Sequence, residues 1–204
     1  QTNRSDFSRV HGQVLRWLNA SEEAGRQWAV AVDEPGDAQH ALVTDAEDPT
    51  HDNARINGLW GAFMAGAWGT EWYFGYKHPH SDLTCQDYRS RDLFWDQCRY
   101  LLDFFKGNSI PFWLTENHDE LVSDGDYCLA IPGYLYVVFL RNGKGTINLE
   151  NTAGNYSVKW FDPRNGGELQ DGSVESVTAN GSVNPGNPPE NPEMDWVVLL
   201  QLEN

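Results

Sequence analysis

The 204-residue chain carries 14 Lys and Arg against 30 Asp and Glu, a formal net charge of −16, which excludes a partner recognised by neutralising its phosphates, nucleic acid above all. Hydrophobic residues make up 40% of the sequence and aromatics 13%, with 9 Trp among them, enough apolar mass for a packed core and too much for a disordered chain. No run of about 18 uncharged apolar residues occurs, so the sequence predicts no membrane-spanning helix and no membrane partner.

The sequence opens on Gln1 without a Met or a charged-then-apolar leader, which predicts that a signal peptide or a longer N-terminal portion belongs to the precursor. Val10, Val14, Leu15, Trp17 and Leu18 recur at helical spacing, and Gly25 supplies a stop, so a helix is predicted over residues 10–25. Residues 27–32 form a short, nearly continuous apolar run of the kind buried on both faces of a parallel sheet, ending in Asp33-Glu34-Pro35-Gly36. A polar loop leads to a glycine-containing helix over residues 53–66, a short strand over 71–75, and a loop carrying His78-Pro79-His80-Ser81-Asp82. A long amphipathic helix follows over 88–105. Helix, strand, helix, strand, helix is the alternation that builds parallel sheets.

After Gly107 the grammar changes. Strand-length apolar segments at 127–130, 134–141, 145–149, 156–161 and 196–202 are separated by Pro-Gly, Asn-Gly and Asp-Pro turn signals, which predicts an all-β half. The division falls at residues 1–110 and 111–204. Three cysteines, Cys85, Cys98 and Cys128, show no C-x-x-C spacing and allow at most one disulfide. In an exported protein the expected pair is Cys85 with Cys98, leaving Cys128 a buried thiol.

The segments Trp28-Ala29-Val30-Ala31-Val32-Asp33-Glu34, Leu59-Trp60-Gly61-Ala62-Phe63-Met64-Ala65-Gly66 and Gly69-Thr70-Glu71-Trp72-Tyr73-Phe74-Gly75-Tyr76 resemble the closing portion of bacterial (β/α)8-barrel glycoside-hydrolase-like proteins of the apiosidase-like and "putative collagenase" group. The second half, with Trp160-Phe161-Asp162-Pro163-Arg164-Asn165-Gly166 and Asp195-Trp196-Val197-Val198-Leu199-Leu200, resembles the collagen-binding β domain that follows those barrels. The resemblance implies the C-terminal part of a (β/α)8 TIM barrel, from about its sixth to its eighth helix, followed by a small antiparallel β-sandwich. A full barrel takes about 250 residues, so the expected partner is an N-terminal barrel fragment of the same precursor.

Glycoside hydrolysis needs two carboxyl groups across the scissile bond, and barrel enzymes carry them at strand C-termini. From spacing alone, Asp33-Glu34-Pro35-Gly36 reads first as a strand-ending turn with solvated carboxylates. The resemblance implies that Glu34 is the nucleophile of a retaining enzyme, with Asp33 beside it, and that the acid/base lies outside this chain. Trp60, Glu71, Trp72 and Tyr76 are expected around a sugar, aromatic faces stacking on C–H groups and the carboxylate taking hydroxyl hydrogen bonds, although any one of these aromatics is as readily a core residue. His78 and Asp82 are expected on a substrate-facing loop. A metal reading of that loop is weaker, since Pro79 separates the histidines and no third one is near. No metal and no cofactor are expected.

The leading expectation is therefore part of a secreted or periplasmic bacterial glycoside hydrolase acting on a polysaccharide or oligosaccharide. The alternatives are a module whose β domain engages polysaccharide or matrix protein, and a barrel relative that binds sugar without cutting it.

Overall fold

The computed structural model describes residues 6–36, 41–76, 88–123 and 125–203. Two compact units divide the chain, Gln1–Arg99 and Tyr100–Asn204.

In the first unit, helix α1 (Val10–Glu23) turns Val10, His11, Val14 and Ser21 inward. It stops where the sequence places a glycine: Gly25 has φ +73° and donates to the Glu22 carbonyl, an ending that a Cβ would strain. The glycine-containing segment predicted as one helix is a π-helix over Ala54–Trp60 that tightens into a single α turn, α2 (Gly61–Met64). At its centre, a Cβ on Gly58 would stand 2.6 Å from Cη2 of Trp72, so the glycine admits the indole against the helix backbone. Helix α3 (Asp92–Gly107) follows a 3-10 turn over Tyr88–Arg91. Asp45 ties the start of α3 to the loop before the π-helix: its Oδ2 accepts from the Leu93 amide and its Oδ1 lies 2.8 Å from Nε2 of the fully buried His51.

The second unit is built on one six-stranded antiparallel sheet, in the order β1 (Glu116–Asn117), β2 (Tyr127–Ile131), β3 (Leu135–Leu140), β8 (Trp196–Leu202), β5 (Asn155–Phe161) and β6 (Ser176–Thr178). A separate ribbon pairs β4 (Ile147–Asn148) with β7 (Ser182–Val183). Register sets Cys128, Val138, Val198 and Trp160 in one row, and Tyr127, Phe139, Val197 and Phe161 in the next, on the opposite face. The first row belongs to a core closed by Ile147, Leu149 and Val183 of the ribbon region. On the other face, Phe104 near the end of α3 packs on Phe161 at 4.9 Å. Both faces are therefore covered, which is why β3 reads as six consecutive apolar residues, all buried, instead of alternating with polar ones.

The expected architecture is corrected at both ends. Among the described residues the first unit holds no parallel strand ladder. The segments predicted as the seventh and eighth barrel strands meet in one isolated parallel bridge, Val32 with Thr70. Pairing stops there because the carbonyl of Tyr73 is taken by the Leu42 amide and the chain turns at Gly75, φ +81°. The second unit is not a two-sheet sandwich either, since opposite the six-stranded sheet β4 and β7 pair over only two residues each. Among the described residues the result is a mostly antiparallel sheet with three α-helices, not a barrel end plus a sandwich.

Candidate functional site

Residues 28–34 of the first unit carry the exposed Trp28, Asp33 and Glu34. Val30 accepts from the Trp68 amide (2.8 Å), and Val32 donates to Gly69 O (3.0 Å) and accepts from the Glu71 amide (2.8 Å). In this parallel arrangement Asp33 follows Val32 at the same end of the bridge at which Glu71 follows Thr70. Asp33, Glu34 and Glu71 are all exposed.

Glu34 has φ +48°, inside the left-handed region that a residue with a Cβ pays roughly 1 kcal/mol or more to enter. Pro35 and Gly36 behind it are buried, so the turn that forces this conformation is anchored while the carboxylate stays in solvent. Beside it, α1 and the extended segment enclose a cavity of about 150 Å3 whose walls include Val10, Val14 and Trp17 from the helix and Val30, Val32 and Asp33 from the segment. At its rim Trp17 and Trp28 stack with ring centres 6.4 Å apart, each about half exposed. These two tryptophans were not singled out in the sequence. The signal was present, since Trp17 falls at i+3 from Val14 and i+7 from Val10 on one helix stripe, but the stripe reads as core unless one knows that the groove over it is open.

The other candidates separate. Tyr76 is exposed. Trp60 is fully buried among core residues. Trp72 makes T-shaped contacts with Phe7 at 5.3 Å and Phe94 at 4.5 Å, and its Nε1 donates to Thr70 Oγ1, so the indole is engaged in packing. The structure thus groups Asp33, Glu34 and Glu71 and assigns Trp60 and Trp72 to packing. His78 and Asp82 lie outside the described residues. So does Cys85, and with it the expected Cys85–Cys98 pair; Cys98 and Cys128 are free thiols. Burial pushes the Cys98 thiol up to about 12 and raises that of Cys128 as well.

In the second unit the Asp162-Pro163-Arg164-Asn165-Gly166 segment forms a tight polar knot after β5. Trp160 and Trp196 are fully buried and meet edge-to-face at 6.2 Å, with Arg164 lying 5.0 Å over the Trp196 ring. Aromatics left exposed on this unit are Trp113 and Tyr134.

Residues 118–201 match the protein-family profile described as "Putative collagen-binding domain of a collagenase". No curated protein matches the chain. Among solved structures, a glycoside hydrolase family 5 protein from Bacteroides vulgatus ATCC 8482 superposes with a TM-score of 0.61 at 14% identity, over 92% of this chain and 44% of its own. A second, described as a glycoside hydrolase, superposes with a TM-score of 0.63 at 14% identity, over 93% of this chain and 46% of its own. The chain thus shares its fold with rather less than half the length of each of these proteins.

Proposed function

We propose that this chain is part of a secreted bacterial glycoside hydrolase that cleaves a polysaccharide or oligosaccharide with retention, and that Glu34 is its nucleophile. The observation that carries the reading is the conformation of Glu34: an exposed carboxylate held in a left-handed backbone at the end of an extended segment, next to Asp33 and the Glu71 stretch. Backbone strain of this kind persists where the surroundings over-determine it, and it concentrates at functional sites. Support at the level of fold comes from the two glycoside hydrolase neighbours.

In this reading the Glu34 carboxylate attacks the anomeric carbon as the leaving oxygen takes a proton from an acid, and water then releases the glycosyl ester as the acid residue acts as base. Asp33 and Glu71 accept hydrogen bonds from sugar hydroxyls. The acid/base belongs to further polypeptide of the same precursor, about 5–5.5 Å from Glu34 as retention requires. The chain by itself therefore turns over no glycan. In the complete protein, Glu34→Gln should lower kcat by several orders of magnitude and leave KM nearly unchanged, because the substitution keeps the volume and removes the attacking charge. Azide should partly restore Glu34→Ala on an activated substrate and give a glycosyl azide. Near-normal kcat in Glu34→Gln refutes the assignment.

A second reading, a non-catalytic carbohydrate- or matrix-binding protein, is favoured by the family match over residues 118–201. It predicts that the complete protein retains insoluble collagen or polysaccharide binding, shows no turnover, and is indifferent to Glu34→Gln. Turnover that disappears with Glu34→Gln decides against it.

A further inference from the structure

The sequence contains four Asn-Gly pairs, at residues 57–58, 142–143, 165–166 and 180–181. Asparagine followed by glycine is the pair most prone to deamidate, because no Cβ on the glycine shields its amide nitrogen from the carboxamide carbon before it. The attack needs a side chain free to turn back on the main chain and an amide nitrogen not committed to a hydrogen bond. The fold therefore selects which pair reacts.

Three of the pairs are held. Asn57 lies inside the π-helix, whose amides are spent on i→i+5 bonds, and its Nδ2 donates to Asn53 Oδ1 at 2.9 Å. Asn165 donates to Asp162 Oδ2 while the Gly166 amide donates to the Asp162 carbonyl, both at 2.9 Å. The Gly143 amide donates to the Leu140 carbonyl at 3.4 Å, and a Cβ on Gly143 would stand 2.8 Å from the Pro192 carbonyl and 2.9 Å from that of Met194, so this turn is closed in by main chain. Asn180 and Gly181, between β6 and β7, differ on every count. Asn180 is exposed, and neither its carboxamide nor the Gly181 amide has a hydrogen-bond partner among the described residues. Nothing lies within 4 Å of where a Gly181 Cβ would stand.

We propose that Asn180-Gly181 is a site of spontaneous succinimide formation whose product loosens the β4–β7 ribbon. The Gly181 nitrogen gives up its proton to base and bonds to Asn180 Cγ. The Cγ–Nδ2 bond then breaks, and the nitrogen leaves as ammonia with a proton from solvent. Water opens the succinimide: attack at Cγ leaves aspartate, and attack at the main-chain carbonyl leaves isoaspartate, with the chain routed through the side chain and longer by a methylene. That methylene falls beside the Gly181 carbonyl, which accepts from the Leu149 amide at 2.9 Å. The ribbon has little else to resist the shift, since only Ser182 with Asn148 and Val183 with Ile147 are paired. Ile147, Leu149 and Val183 all belong to the core of this unit, so the change at Asn180 reaches the core through them.

The test ages the full chain in mildly alkaline buffer at body temperature for several weeks, then maps it by proteolysis and mass spectrometry, with isoaspartate told from aspartate by electron-transfer fragmentation. The expected result is conversion at Asn180, with isoaspartate among the products, at least about tenfold faster than at Asn57, Asn142 or Asn165, each of which must first be freed by local opening. In denaturant, where all four are free, the rates should converge. The aged chain should melt about 2–4 °C below the fresh one, as expected for the loss of a hydrogen bond. Asn180→Gln, whose longer side chain closes a ring far more slowly, should keep its Tm through the same treatment. An unreacted Asn180, a product free of isoaspartate, or equal conversion at Asn142 overturns the site. An order of rates that persists in denaturant would mean that neighbouring residues and not the fold select Asn180, and overturns the inference as well. An unchanged Tm in chain converted to isoaspartate at Asn180 overturns the loosening of the ribbon.

Discussion

Arg164 grips Asp162 with both arms of its guanidinium, Nε donating to Oδ1 at 2.7 Å and Nη2 to Oδ2 at 3.0 Å. The Arg164 amide and the Asn165 side chain donate to the same carboxylate, and the Gly166 amide closes the turn on the Asp162 carbonyl. Burial disfavours ionisation of Asp162, yet these donors outweigh it and hold the carboxyl below its ordinary value. Because Arg164 also lies over Trp196, the knot fastens the end of β5 to the start of β8.

Acid should loosen this knot. The folded-state value for Asp162 is lowered, so its contribution is complete above the unfolded value near pH 4 and is lost as pH falls through the folded value. Asp162→Asn should cost about 3 kcal/mol at pH 7 by leaving Arg164 without its counter-charge, and much less at pH 2. Denaturant melts of both proteins at the two pH values give the difference. An equal cost at both would show that the charge is not what matters.

Gly166 has φ +68°, and a Cβ there would fall 2.3 Å from Cδ1 of Tyr100. Gly166→Ala therefore combines left-handed strain with a clash against a ring, and should destabilise by about 2 kcal/mol or more. Tyr100→Ala should remove the steric part but not the backbone part. The double variant, measured by thermal unfolding, should thus recover only some of the loss.

Trp72 and Gly58 should couple. Truncating Trp72 removes the ring lodged between Phe7, Phe94 and the π-helix, at a cost of about 3–5 kcal/mol. Gly58→Ala alone should cost about 1–3 kcal/mol, since its Cβ would press on Cη2. In the Trp72→Ala background the Gly58→Ala cost should largely vanish. Additive costs would place the indole elsewhere, free for the ligand role expected from the sequence.

Replacing Glu34 by Gly should stabilise the fold. The glycine relieves the left-handed conformation, worth about 0.5–1 kcal/mol after its own entropy is counted, or a few degrees in Tm. Stability gained where function is predicted to be lost is the signature of a strained functional residue. A lower Tm would mean that the carboxylate supports the turn.

Cys98 and Cys128 should resist alkylation in the native protein. With the Cys98 thiol near 12, its thiolate fraction at pH 8 is about a thousandfold below that of an ordinary cysteine. Mass spectrometry after brief labelling should find both unmodified until denaturant is added. Rapid native labelling would contradict their burial.

Much of the local structure was legible in the sequence. Helix α1 ends within two residues of the predicted stop because the glycine after its last turn adopts the conformation that only glycine enters cheaply. Strands β2, β3, β5 and β8 fall on the predicted apolar runs, since a run of that length with turn residues at each end has few other ways to bury itself. Glu34 came forward only through the resemblance, since two acids at the end of an apolar run are by themselves a strand-ending turn.

What the tertiary structure decided was pairing and accessibility. Residues 27–32 and 71–75 have strand composition, but a strand exists only where a partner satisfies its backbone, and here the partnership is one bridge long with the Tyr73 carbonyl taken by Leu42. Composition could not separate Trp60 and Trp72, which are packed, from Trp17 and Trp28, which ring an open groove, since all four are the same side chain in similarly apolar surroundings along the chain. Burial depends on what lies across the fold, and that information is not written within a few residues of any tryptophan.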